Sequence, residues 1–412
     1  MIYGVFSTVL FWLILPFWLV AGLFNKKLLT GFKEKLGFFN FDNNQKKSII
    51  FYGVSVGETQ ALEKILKDSK SEFPDKNIIV VTGTKTGQEL ARKKYSEICD
   101  FITYFPFDFP FCVKSFLKKT NPEMICIMET EMWPNFIRIT SSKKIPLFII
   151  NGRISDRTYR SYKKLSFFFK PLLRRYTKIL TQSKIDNERL ISIGANPETT
   201  INIGNIKFDL TSGKNPPVLE SNGRIIIAGS THSTEDEIIL SAYTKIKKEF
   251  NDVKLLIAPR HPERNEFVYG LIQKTGYAVG RKSNSDNFLD KDIILLDTMG
   301  ELSSLYSVCY FSVIGGSFNK TGGHNPLECV IYNKPVISGS NVKNFKDIYA
   351  IITNYEAGTI VNNEEELYSQ MKKLLSDENY YSISCENCQK VFDENSGATG
   401  RTIDEMKKVL FK

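Results

Sequence analysis

Past residue 25, short apolar runs rich in Ile, Val and Phe alternate with longer stretches whose apolar residues recur at helical spacing. Candidate strands fall at 48–52, 77–82, 101–105, 124–128, 146–150, 178–181 and 200–203, then at 224–228, 253–258, 292–296, 310–314 and 335–337. Runs that are apolar at nearly every position predict parallel strands covered by helices on both faces. Between the two arrays, residues 211–217 read Thr-Ser-Gly-Lys-Asn-Pro-Pro, a linker by composition. The expected class is α/β, with two Rossmann-like domains at 26–211 and 212–392 facing a cleft. Residues 393–412, a polar turn and a basic amphipathic helix, are expected to pack back on the first domain. Ligands in such folds sit at the carboxyl ends of strands.

Residues 1–25 carry no charged side chain. As one helix rising ~1.5 Å per residue, 2–24 would be long enough to cross a bilayer, with a possible kink at Pro16. No basic region precedes the run, and Lys26, Lys27, Lys33 and Lys35 follow it. That asymmetry favours an uncleaved anchor over a signal peptide and places the bulk of the chain on the cytoplasmic side. The seven scattered cysteines suit a reducing compartment. The net charge of +10 suits nucleic acid or an anionic membrane. The anchor favours the membrane, and no nucleic-acid module is present. Residues 159–178 interleave Lys and Arg with Tyr, Phe and Leu, a pattern that fits a lipid surface as well as an ordinary amphipathic helix.

Candidate chemistry gathers at strand ends. In the second half, Gly315-Gly316-Ser317-Phe318 is followed by Gly322-Gly323-His324-Asn325-Pro326-Leu327-Glu328. Loops without side chains let backbone N–H groups approach an anion, and Asn-Pro opens a helix with Glu328 one turn inside, placed for sugar hydroxyls. A nucleotide sugar needs that combination. The only three histidines, His232, His261 and His324, lie in Gly- or Pro-punctuated segments, which suggests one shared site. Their spacing is not that of metal ligands, so no metal is expected. Ser230, Thr231 and Arg260 flank them, and Lys207 lies near the domain junction.

In the first half, Ser55-Val56-Gly57-Glu58 follows the first strand. Glu58 there suits either a base presented to a site or a helix-start residue favoured by the macrodipole. Glu129 and Glu131, beside Trp133, follow the strand at 124–128, and Arg153 follows the next. Thr84 lies in a small-residue loop that lacks P-loop spacing.

Together and in this order, Ser55–Glu58, Glu129–Asn135, Asn151–Arg153, Gly204–Lys207, Gly229–His232, Pro259–Pro262 and Gly322–Glu328 resemble the Kdo transferases of lipopolysaccharide synthesis. The resemblance implies a membrane-anchored, inverting glycosyltransferase of GT-B fold, with no cofactor. It implies a CMP-Kdo donor on the second domain, a lipid A precursor as acceptor on the first, and the bacterial inner membrane as the site of action. Glu58 matches the general base, and Glu129 and Glu131 accompany it. The donor set is Lys207, Ser230, Thr231, His232, Arg260, His261, Gly315, Gly316, Ser317, Gly323, His324, Asn325 and Glu328, with Glu328 on the ribose. The acceptor set is Ser55, Gly57, Thr84 and Arg153. One departure is Tyr52, where the family commonly has histidine. The alternatives are another GT-B enzyme using a UDP-sugar, an epimerase, or a membrane scaffold without catalysis.

Overall fold

In a computed structural model describing Leu13 and residues 29–210 and 219–411, the chain forms two compact units. One comprises the chain up to Asp209 together with the segment from Ser396, and the other runs from Leu210 to Asn395. The expected anchor at 2–24 and the linker at 211–217 lie outside the described residues. Among the described residues no helix is long and apolar enough to cross a membrane.

The first unit is built on β1 (Ser48–Gly53), β2 (Asn77–Thr82), β3 (Phe101–Tyr104), β4 (Pro122–Met128), β5 (Leu147–Gly152), β6 (Lys178–Thr181) and β7 (Thr200–Asn202). They pair in parallel in the order β3-β2-β1-β4-β5-β6-β7. Alternate residues serve opposite faces, as the two-residue strand period requires. Ile50, Tyr52, Ile125 and Ile127 enter one apolar cluster, and Ile49, Phe51, Met124 and Cys126 enter another. The C-terminal helix Ala398–Leu410 completes the second cluster through Ala398, Ile403 and Met406. The Asp209 carboxylate accepts the N–H groups of Gly397 and Thr399 at that helix's start.

The second unit repeats the plan with β8 (Arg224–Thr231), β9 (Val253–Pro259), β10 (Val279–Arg281), β11 (Ile293–Leu295), β12 (Phe311–Ile314), β13 (Val336–Gly339) and β14 (Gly358–Val361). Their order is β10-β11-β9-β8-β12-β13-β14, again all parallel. The edge strands β10 and β14 were not expected from the sequence. Both are short and only partly buried, so neither shows the continuous apolar run that marks the interior strands.

Each sheet has one point where the strand order reverses, at β1/β4 in the first and β8/β12 in the second. Loops leaving the carboxyl ends of the two central strands diverge there and leave a crevice. In both units the chemistry-bearing residues gather at this point.

Candidate active site

In the first unit, Ser55 leaves β1 and caps the helix Val56–Ala61. Its hydroxyl donates to Glu58 Oε1 at 2.8 Å and accepts from Glu58 N–H at 3.3 Å, while Val54 N–H donates to Oε2 at 2.9 Å. Glu58 is thus held at the helix start much as in a capping box, with Val54 N–H in place of the N-cap N–H. The helix-start reading is real, and it does not exhaust the residue. A carboxylate offers about four lone-pair directions, so two remain for a substrate hydroxyl. Burial raises the Glu58 pKa, the Val54 hydrogen bond opposes the rise, and the charge of Glu129 adds to it.

Across the strand-order reversal, Glu129 leaves β4 with φ of 57°, a left-handed conformation that costs a non-glycine residue about 1–2 kcal/mol. Lys207 Nζ pairs with its Oε1 at 3.2 Å. Two residues on, the Glu131 carboxyl is pushed up to about 7, first by burial and then by the negative charge of Glu58, with Glu129 adding and Trp133 opposing. Tyr52 is buried, stacked on Phe105 at 4.0 Å between ring centroids. Burial and the two nearby carboxylates hold its phenol far above its ordinary range, so it stays neutral. Phe105 also packs against Trp133, which closes an aromatic wall beside the acids.

The expected acceptor residues surround this cluster because β2, β1, β4 and β5 are consecutive in the sheet. Thr84 donates to the Val54 carbonyl at 3.1 Å and caps its own helix through Gly87 N–H. Gly57 is exposed, and a side chain there would meet only the Ser55 hydroxyl, at 4.0 Å. Arg153 is half-buried, and its carbonyl accepts from Thr130 at 2.6 Å. Lys207, assigned to the donor from sequence, belongs to the first unit and is engaged with Glu129.

In the second unit, β9, β8, β12 and β13 are consecutive, and the loops after them bring the three histidines together as expected. His232 Nε2 and His324 Nε2 are 2.9 Å apart with the rings nearly parallel, and His261 meets His232 edge-on at 5.2 Å. A hydrogen bond between two imidazole nitrogens needs one protonated and one bare, so the pair excludes a second charge. Burial, and then the neighbouring His232 and Arg260, lower the His324 pKa to about 4. His232 is lowered too, by burial first and then by His261. Arg260 is exposed beside them. Among the described residues no cluster of three or more side chains is arranged to hold a metal ion.

The glycine loop corrects one expectation. Its N–H groups were expected to face an anionic ligand, but Glu235 already occupies them. This fully buried carboxylate accepts from Gly316, Ser317 and Phe318 N–H at 2.7–2.8 Å, and from His232 N–H at 2.9 Å. Gly315 N–H goes to Gly229 O, Gly322 and Gly323 N–H to Gly316 O, and His324 N–H to Gly315 O. Glycine is still required. A side chain on Gly315 would sit 2.3 Å from the Ser230 carbonyl, and Gly316 adopts φ of 71° against the His324 ring.

The loop therefore acts as a rigid frame, and side chains are left to recognise the ligand. Ser230 adopts φ of 58° where β8 bulges, and Thr231 donates to buried Asp236, which also pairs with Arg264. Asn325 and Glu328 open the one-turn helix Leu327–Val330, with Asn325 Nδ2 3.4 Å from Glu328 Oε1. In the sequence Glu235 stands in an acidic helix start, Glu235-Asp236-Glu237, and nothing there separates it from its exposed neighbour Glu237.

A family model described as 3-deoxy-D-manno-octulosonic-acid transferase (kdotransferase) matches residues 30–210. The 3-deoxy-D-manno-octulosonic acid transferase of Haemophilus influenzae is 31% identical over 389 residues, covering 92% of this chain and 91% of its own length. A bifunctional glycosyltransferase/methyltransferase of Fusobacterium nucleatum is 34% identical over 383 residues, which are 90% of this chain and 58% of that protein. The chain thus spans little more than half of that relative. The structure of a UDP-GlcNAc 2-epimerase from Neisseria meningitidis bound to UDP-GlcNAc superimposes with a TM-score of 0.62, covering 88% of this chain and all of that one. Its 12% identity makes this a likeness of fold alone, to nucleotide-sugar enzymes of the GT-B kind. Both units' sheets and the near-full-length relatives thus point one way, and the chain belongs to the 3-deoxy-D-manno-octulosonic acid (Kdo) transferase family of glycosyltransferases.

Proposed function

We propose that this protein transfers Kdo from CMP-Kdo to a lipid A precursor with inversion at the anomeric carbon. It would act at the cytoplasmic face of the bacterial inner membrane, held there by residues 2–24. The observation that carries the reading is the carboxylate cluster at the first unit's strand-order reversal, with two of its pKa values raised toward the working range of a base. Glu58 takes the proton of an acceptor hydroxyl as its oxygen bonds to the anomeric carbon. The bond from that carbon to the phosphate oxygen breaks on the opposite side, and CMP leaves with the electron pair.

The base is assigned to Glu58 because Glu131, raised first by burial and then by the charge of Glu58, holds its proton to about 7. A positioned base contributes ~10²–10⁴-fold in rate. Lys207 pairs with Glu129, and its positive charge opposes the rise in the Glu58 pKa. In the second unit, Arg260 supplies the fixed positive charge for the leaving phosphate. His232 and His324, held neutral by burial, supply donors that gain charge when an anion arrives.

The test is transfer by the detergent-solubilised full chain, supplied with CMP-Kdo and a lipid A precursor, with the product's anomeric configuration read by NMR. The expected product carries Kdo in the configuration opposite to the donor. Retention would refute the single displacement. A folded protein that turns over a UDP-sugar and does not bind CMP-Kdo would refute the donor.

A further inference from the structure

Of the seven cysteines, Cys99, Cys112 and Cys126 belong to the first unit, and Cys309, Cys329, Cys385 and Cys388 to the second. The reaction described above uses none of them. In the second unit two sulfurs meet: Cys309 Sγ and Cys329 Sγ are 3.9 Å apart, with both side chains fully buried. Each thiol also donates to a backbone carbonyl, Cys309 to Tyr306 at 3.2 Å and Cys329 to Lys334 at 3.5 Å. Packing alone is reason enough for a buried cysteine. Two sulfurs in contact, brought together from 20 residues apart in the chain, are in addition a pair that can bond.

Their positions decide what such a bond does. Cys309 stands two residues before β12, and Tyr310 N–H between them donates to Ile225 O at 2.7 Å, so this sulfur is pinned to the middle of the sheet. Cys329 lies in the one-turn helix Leu327–Val330, next to Glu328. A disulfide holds its sulfurs about 2.05 Å apart. Closing the gap takes roughly 2 Å of movement, and the helix, with a single turn of hydrogen bonds behind it, is the part that yields. Glu328 moves with it, away from its place 3.4 Å from Asn325 Nδ2.

We propose that Cys309 and Cys329 are a redox modification site: hydrogen peroxide joins them in a reversible disulfide, and the bond displaces the helix that carries Glu328. One sulfur attacks a peroxide oxygen, the O–O bond breaks, and a sulfenic acid and one water result. The second sulfur attacks the sulfenic sulfur, the S–O bond breaks, and a second water leaves. Two thiols are oxidised and one peroxide is reduced. A small dithiol reverses the bond by exchange. Burial holds the Cys309 thiol well above its ordinary range, with Cys329 adding and the Lys334 charge opposing. Thiolate is therefore scarce, and the pair answers sustained oxidant rather than a brief pulse. The modification stands apart from the reading under Proposed function; its effect on donor binding rests on that reading, in which Glu328 meets the ribose.

In the test, the reduced, detergent-solubilised full chain is incubated with hydrogen peroxide, remaining thiols are blocked with N-ethylmaleimide, and peptides are mapped by mass spectrometry without reductant. A cross-link between the peptides of Cys309 and Cys329 should appear, and dithiothreitol should remove it. In the oxidised chain amide hydrogen exchange should quicken across residues 325–333, and CMP affinity should fall by roughly tenfold or more in calorimetry. Cys309→Ala should bind CMP as the wild type does and lose the response to peroxide. Cys385→Ser, which removes the partly exposed thiol, should keep it. Sulfurs that stay reduced, that oxidise singly to sulfinic acid, or that cross-link only as Cys385 with Cys388 overturn the proposal. A Cys309–Cys329 bond that leaves amide exchange unchanged overturns it too. A reduced chain that binds no CMP refutes the donor reading alone, since the cross-link and the exchange decide the proposal without it.

Discussion

The two units place their chemistry at the same point of the same kind of sheet and use opposite materials. In the first, acids stand at the strand-order reversal with their pKa values pushed up. In the second, bases stand there with their pKa values pushed down. Burial is the leading cause in both, since it disfavours whichever form carries charge. The first crevice is therefore suited to take a proton from a neutral hydroxyl, and the second to admit a ligand that brings negative charge. The backbone also differs. Glu58 keeps spare lone pairs after closing its capping box, whereas the second unit's glycine loop has given its N–H groups to Glu235. A glycine-rich loop at a strand end is not by itself an open anion nest.

The largest effect is expected from removing the internal anion of the second unit. Glu235→Ala leaves four N–H groups without their acceptor, two of them fully buried, at a cost of about 3 kcal/mol or more. Denaturant melts should show that loss in the second unit's transition, together with loss of nucleotide binding. Retained stability would mean that the loop's N–H groups find another acceptor and are open to ligand after all. Next, Arg260→Ala should weaken CMP binding by roughly 10–100-fold in calorimetry, as expected for a charge-assisted contact. Because Arg260 is exposed, stability should change by less than about 0.5 kcal/mol.

Glu131→Gln sharpens the acidic side. The folded-state pKa of Glu131 is raised from 4.5 to about 7, so ionising it works against the fold. That penalty is absent below the unfolded value, grows between 4.5 and 7, and is constant above. Thermal melts should find Glu131→Gln more stable than wild type at pH 8 and no more stable at pH 4. The smallest effect is on the basic side. His324 is depressed from 6.5 to about 4, so its stabilisation is lost as pH falls through that window, and His324→Gln should flatten that slope. An arriving anion should raise the histidine pKa values. CMP binding at pH 6 should therefore take up a fraction of a proton, read from binding heats in buffers of different ionisation enthalpy.

Much of the plan is legible in the sequence. Interior strands such as 77–82 and 253–258 announce themselves because burial on both faces demands continuous apolar runs. The convergence of His232, His261 and His324 was legible because each follows a strand end. The edge strands β10 and β14 were not, since an edge need not be apolar throughout. Lys207 was placed with the donor because its position at the domain junction says nothing of which way its side chain turns. The structure turns it to Glu129. The role of Glu235 was not legible because a buried charge and an exposed helix-start acid are written with the same residue, and only the fold shows that four backbone N–H groups close around it.

If the first unit supplies the base and the second holds the donor, Glu58→Gln separates the two roles. Transfer of Kdo to a lipid A precursor would be measured in single turnover at saturating CMP-Kdo, with donor affinity measured separately by calorimetry. Donor affinity should be unchanged and the transfer rate lower by roughly 10² or more. Transfer at the wild-type rate would contradict the base assignment, and a loss of donor affinity equal to the loss of rate would contradict the division of labour between the units.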